Sequence, residues 1–334
     1  MTRTDVSLEF VSDPGAEAGL VRELLVVLGQ PPPDEVGDDD WPNPVGLVVA
    51  RGEGRLLGWA RVSAHEEDES AATADLLLVA REARPLGATV HSGHDVDESA
   101  VVVRLLAGAA EQAAGAGFAA LEWSGVDDTP EGPAASELGA TVRAEVGRHW
   151  GTRQLNAWPA PDGLPAVEVR RTREPVPEDL LPEYARLYHD ATGVEWDVED
   201  VAEYLADDRY PVLTLDLLGS VSDPPVSEHP VAEHPVLQDP VPGHPRGALV
   251  AQLIAAVADH TALVEKVVHR DAPAADLAAL LAELVVHLRR EHPGVTELSV
   301  RELDDETVGH ASSLAGLHVI SRWLTWRMEL VADR

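Results

Sequence analysis

The chain has 334 residues, long for one core at the usual ~100 to 200 residues per domain, so two domains are expected. Its 25 Lys and Arg against 59 Asp and Glu give a formal net charge of −34, and no Lys/Arg cluster offsets that field, which disfavours nucleic acid and anionic membranes as partners. There is no cysteine, which excludes disulfides, thiolate zinc sites and a Cys nucleophile. No run of about 18 uncharged apolar residues would span a membrane, and MTRTDVSLEF lacks a signal peptide's apolar stretch, so a cytoplasmic protein is expected.

The first half opens with a strand, TDVSLEFVSD, and a helix from Ala16 to Leu28, where Leu20, Val21, Leu24, Leu25 and Leu28 fall at helical spacing. After an acidic, Pro-rich stretch, Val45–Arg51 and Arg55–Ala64 form a predicted hairpin turning at Gly52 and Gly54. The apolar run ADLLLVA is followed by a Gly-containing stretch and a helix from about Glu98 to Ala114, ended by Gly115 and Gly117. The strand FAALEW, a short helix near Ala134–Leu138 and closing strands to about Trp158 finish the unit.

The stretch DGLPAVEVRRTREPVPED reads as a linker, and the second half then repeats the order. Helices over Leu180–Thr192 and Val198–Ala206 lead to the strand PVLTLDLL. GALVAQLIAAVA and ALVEKVVH come next, then a helix over Asp276–Arg290, the strand VTELSVRE, a short helix near Asp304–Leu314 and the strand HVISRWLTWRMEL. Residues 225 to 244 interrupt this order with a pentapeptide repeat, PVSEH, PVAEH, PVLQD, PVPGH, in which Pro at every fifth position removes backbone donors. Residues 221–246 are therefore expected to be a loop; His229, His234 and His244 could bind metal weakly, or the prolines a partner, but the spacing fixes no coordination geometry.

The tract from Val264 to Leu330 carries a resemblance. Its strand ending Val267-Val268-His269, the loop and helix after it, a further strand, a short helix and the last strand RWLTWRMEL resemble the cofactor half of a GCN5-related N-acetyltransferase (GNAT), as found in tandem actinobacterial members. The resemblance implies an α/β fold with a mixed sheet, built as two tandem acyl-CoA N-acyltransferase domains, residues 1–165 and 166–334. It implies acetyl-CoA or another acyl-CoA as cofactor and a small-molecule or peptide amine as acceptor.

By position, the resemblance makes Glu265 the candidate base and places Val267, Val268, His269, Ala274 and Ala278 along the cofactor. In the first half two registers are open. One uses Arg84 and Gly87; the other puts Asp95, Glu98 and Ala100 where the family has Arg, Gly and Gly. A coenzyme A pyrophosphate needs backbone N–H groups at a helix N-terminus, Gly for close approach and a positive charge. The matching positions of the second half hold Pro273, Asp276 and Ala278. A carboxylate about 4 Å from a phosphate at an effective dielectric of ~20 costs up to about 4 kcal/mol, roughly a thousandfold in affinity.

The family's thiolate-protonating Tyr has no match, since no Tyr follows Asp304. Tyr184, Tyr188, Tyr204 and Tyr210 fall in or just after the helices before the sheet, as acceptor-site lining or as packing residues. Two readings stay open: an N-acyltransferase with one active domain, and a degenerate relative that binds a ligand or partner with normal coenzyme A binding weakened or lost.

Overall fold

The computed structural model describes residues 6–28, 42–82, 97–172, 176–205, 212–219, 247–303 and 305–330. Contacts divide the chain into unit 1, Met1–His149 with Ser321–Arg334, and unit 2, Trp150–Ile320. The stretch 321–334, placed by the sequence reading in the second domain, thus groups with the first half. The pentapeptide repeat lies outside the described residues, as do Arg84 and Gly87.

Unit 1 begins with β1 (Val6–Val11), α1 (Glu17–Val27), β2 (Pro44–Gly52), β3 (Arg55–Ala64), β4 (Ala71–Leu78) and the single turn α2 (Val79–Glu82). It continues with α3 (Glu98–Gly115), β5 (Ala120–Val126), α4 (Glu131–Glu137) and β6 (Thr141–Thr152). The β2–β3 turn needs left-handed backbone at Glu53 and Gly54, with φ of 51° and 79°. The first four strands are antiparallel neighbours, and β4 and β5 are parallel. Next to β5 lies the final strand, β12 (His318–Glu329), antiparallel to it from Trp323↔Val126 to Glu329↔Ala120, with β6 beyond.

The last strand is held in unit 1 by its apolar face: Trp326 is buried against Trp123, their ring centroids 6.3 Å apart. On that face α3 lays Val102, Leu105, Leu106 and Ala109 over Val48, Ala60 and Leu121. Gly108 permits the close approach, because a Cβ there would stand 2.8 Å from Val48 Cγ1. The opposite face is covered by Leu20 and Leu24 of α1, packed on Leu47, Val49 and Trp59.

In unit 2 the stretch read as a linker contains a strand, β7 (Glu168–Thr172). Its alternation is short and flanked by Pro on both sides, yet it pairs antiparallel with β8 (Val212–Leu218) because Arg170 lies opposite Asp216. Between them in sequence come α5 (Leu181–Thr192), closed by left-handed Gly193, and α6 (Val198–Leu205). There follow β9 (Leu249–Ala258), β10 (Thr261–His269), α7 (Ala274–Glu291), β11 (Glu297–Glu302) and α8 (Glu306–Leu314). Within this unit the strand order is β7-β8-β9-β10-β11. Helices α7 and α8 bury Leu277, Leu281, Leu284 and Val308 against one face, and α5 and α6 bury Leu181, Tyr184, Tyr188 and Val201 against the other.

Candidate functional site

In unit 2, β10 and β11 are paired in parallel only from Thr261↔Glu297 to Val264↔Val300, whereas β10 keeps its other partner, β9, as far as His269↔Ala251. The two parallel strands therefore part after Val264 and leave an opening at their C-terminal ends, where ligands of α/β sheets commonly bind. At the same point the β9 register shifts between Val264 and Lys266, making Glu265 the extra residue of a bulge. The bulge reverses the alternation. Val264 packs in the α7 core but Val268, four residues on, packs under α5, where an unbroken strand would have put both on one face.

The α7 side of the opening carries acids. Helix α7 starts after Pro273, which supplies no side-chain cap, and carries Asp276 in its first turn. The nearby cation, Arg270, is taken by Asp190 at 2.8 Å. His269 Nε2 and Asp305 Oδ2 stand 3.0 Å apart, joining the end of β10 to the start of α8. The other oxygen of Asp305 accepts from the Thr307 and Val308 amides, capping α8. A carboxylate only accepts, so Nε2 carries the proton, and Nδ1 is a buried acceptor without a partner among the described residues.

The α5–α6 side is aromatic. Tyr188, Trp196 and Tyr204 meet edge to face, with centroid separations of 5.1, 5.9 and 5.8 Å. Into them the bulge turns Lys266, whose Nζ lies 5.6, 5.7 and 4.8 Å from the three ring centroids. Burial pushes the Lys266 ammonium below its ordinary pKa, while the ring faces act the other way by favouring the cation. Burial also raises Tyr204, helped by the Glu265 carboxylate beside it. Deeper in, Asp216 accepts from Arg170 Nε at 2.8 Å, Tyr184 OH at 2.8 Å and Thr172 Oγ1 at 3.0 Å, and Tyr188 OH donates to Gln252. Burial raises the Asp216 pKa against these bonds.

Unit 1 has the same parting of strands: β4 and β5 pair only from Ala71↔Ala120 to Thr73↔Glu122. The register of β4 on β3, however, runs unbroken to Leu78. Facing away from α3, Glu122 is buried and bonded to Arg143 and, at 2.7 Å, to Arg327. His65 Nδ1 accepts from the Glu67 and Asp68 amides at 3.0 and 3.1 Å, which leaves Nε2–H toward Glu122, 3.7 Å away. A cavity of about 400 Å³ beside this network is lined by Arg61, Ser63, His65, Thr73 and Asp75 among others. Helix α3 is capped by Asp97, whose carboxylate accepts from the Ala100 amide at 3.3 Å.

Of the residues singled out in sequence, Glu265 is exposed at the bulge, Val267 is half-buried against the α7 core, and Val268 is buried on the other face. His269 makes the bond to Asp305, Ala274 opens α7, and Ala278 is fully buried beneath that helix. Sequence reasoning missed Lys266, Trp196 and Asp305. A lysine in an apolar strand was a visible signal for the first; the other two are joined to the site only by tertiary structure. Among the described residues no cluster of three or more His, Asp and Glu is placed to hold a metal, and no helix is long and apolar enough to cross a membrane.

No protein-family model and no curated protein matches the chain. Solved structures do. It is similar in fold to a tandem GNAT protein from the clavulanic acid biosynthesis pathway, 18% identical, over 99% of this chain and 100% of that one with a TM-score of 0.50. A GCN5-related N-acetyltransferase from Sphaerobacter thermophilus is matched at 14% identity, 98% and 97% coverage and a TM-score of 0.44. A GNAT-family acetyltransferase from Colwellia psychrerythraea is matched at 10%, 97% and 100% with a TM-score of 0.46. The chain has the tandem GNAT fold.

Proposed function

We propose that unit 2 is an amine-binding module built on the N-acyltransferase fold, with the amine side kept and the acyl-CoA side lost. The observation that carries this is the start of α7. A pyrophosphate there would meet a proline in place of a basic residue, the Asp276 carboxylate in the first turn, and an Arg270 already paired with Asp190. The His269–Asp305 bond lies across the opening that the pantetheine arm would enter. The residues present do not fit the cofactor, and the helix dipole is answered by the protein's own acid.

A second reading, N-acyl transfer from acyl-CoA to an amine, is favoured by one feature: the parallel strands part at the same place in both units. Calorimetry with acetyl-CoA separates the two. The amine-binding reading expects no measurable heat from the natural chain and regained binding in Pro273→Arg/Asp276→Gly, which restores positive charge and close approach. Tight binding by the natural chain would overturn it in favour of the enzyme.

A further inference from the structure

A primary ammonium carries three N–H donors, and a site built for one normally supplies oxygen acceptors as well as charge. The place taken by Lys266 supplies only ring faces: Tyr188, Trp196 and Tyr204 surround Nζ at 4.8 to 5.7 Å, and among the described residues no oxygen accepts a hydrogen bond from it. The three rings stand at 79° to 86° to one another, so they form walls of a box rather than a stack. Such a box suits a cation with no N–H to satisfy, because the attraction comes from the ring quadrupoles and from the apolar contact of methyl groups.

The box is accessible. Its floor, Tyr188, is 1% exposed and fixed by its bond to Gln252, but its rim, Tyr204, is 39% exposed. Beside that rim the Glu265 carboxylate, the extra residue of the bulge, adds negative charge without reaching the ammonium. Charge, aromatic walls and an open rim thus converge on one position, which the protein fills with its own side chain.

Resting on the amine-binding reading, we propose that Tyr188, Trp196 and Tyr204 form a binding site for a quaternary alkylammonium group, and that Lys266 is a built-in competitor which that group displaces. Glu265 is then a rim charge that draws the cation in. A lysine serving only to pin α5 and α6 to the sheet would predict the opposite: its loss would leave a weakened apolar slot with no preference for charge.

The test is titration with choline and with its uncharged carbon analogue, 3,3-dimethylbutanol, without any acyl donor, on the full natural chain and on Lys266→Gln. Binding is read from the indole N–H resonance of Trp196, assigned with Trp196→Phe. We expect saturable choline binding that tightens about tenfold in Lys266→Gln, with the carbon analogue at least about tenfold weaker in both proteins. Tyr204→Leu, at a half-exposed rim position, should weaken choline several-fold while leaving the far-ultraviolet spectrum unchanged. Equal affinity for choline and its analogue, or no shift of Trp196 in folded Lys266→Gln, overturns the proposal. Acetyl-CoA is absent throughout, so these outcomes are independent of whether the natural chain binds it.

Discussion

In unit 1 the sheet face opposite α3 presents the charged Glu122, Arg143 and Arg327 with the His65 imidazole beside them; in unit 2 the face opposite α7 presents Tyr188, Trp196 and Tyr204 around Lys266. Both faces flank the same parting of parallel strands. What separates them begins in the backbone. Strand β4 keeps its alternation, so Ala72, Ala74 and Leu78 all pack in the α3 core, whereas the bulge in β10 sends Val264 to one side and Lys266 and Val268 to the other. One extra residue therefore decides which side chains a duplicated cleft receives, without altering the order of the strands.

The two faces also differ in how deeply the partners of their buried acids lie, and this orders the expected losses. Asp216 has no exposed side-chain surface and its partner Arg170 is 11% exposed, while the partners of Glu122, Arg143 and Arg327, are 40% and 22% exposed. Removing one member of a buried pair leaves the other uncompensated and costs roughly 3 to 5 kcal/mol. Asp216→Ala should fall at the low end, about 3 kcal/mol, because Arg170 keeps its bond to Glu183. Glu122→Ala should cost less, about 1 to 2 kcal/mol, since water can reach both arginines. Denaturant unfolding of the full chain checks the pair, and equal losses would mean that the two networks are alike after all.

The helix starts give a second contrast. Asp97 caps α3, whereas Pro273 leaves α7 without a side-chain cap. Asp97→Ala should lose about 1 kcal/mol, the usual worth of a carboxylate cap, measured as a shift of the urea midpoint at unchanged slope. No change would show that the Ala100 amide bond contributes nothing.

Much of this architecture was legible in the chain. Periodic apolar runs predicted α1, α3, α5 and α7 to within a few residues, the β2–β3 hairpin was marked by Gly52 and Gly54, and the tandem order emerged from the repeat of elements. Strand β7 was not legible. VEVRRT is too short and too charged to read as buried, and it is a strand because Arg170 finds Asp216, 46 residues on. The grouping of 321–334 with unit 1 was hidden for a similar reason: RWLTWRMEL has the pattern of any strand, and its neighbour β5 lies about 200 residues earlier. Of the aromatic box, the sequence marks Tyr188 and Tyr204 only as two of four tyrosines in or just after the helices before the sheet, equally open to packing roles. The bulge that aims Lys266 at them leaves no trace in sequence, since a bulge is a mismatch between two strands and neither strand alone records it.

The smallest expected effect concerns acid, and it too separates the units, because α7 carries His287 whereas the sequence of α3 contains no histidine. Burial pushes His287 below the ordinary imidazole pKa, and the nearby Arg171, His292 and Arg290 add to this against the single opposing charge of Glu291. A group whose pKa is depressed on folding favours the folded state while it is neutral. Its contribution is complete above the unfolded value of about 6.5, declines as pH falls through the lower folded value, and is flat once both states are protonated. As the pH falls below about 6.5 the natural chain should therefore lose stability by more than His287→Leu does, with the two curves parallel at higher pH. Urea midpoints taken at half-unit steps of pH would resolve the difference. If the two curves stay parallel through that window, His287 binds its proton as readily in the folded chain as in the unfolded one, and the acid response belongs to other groups.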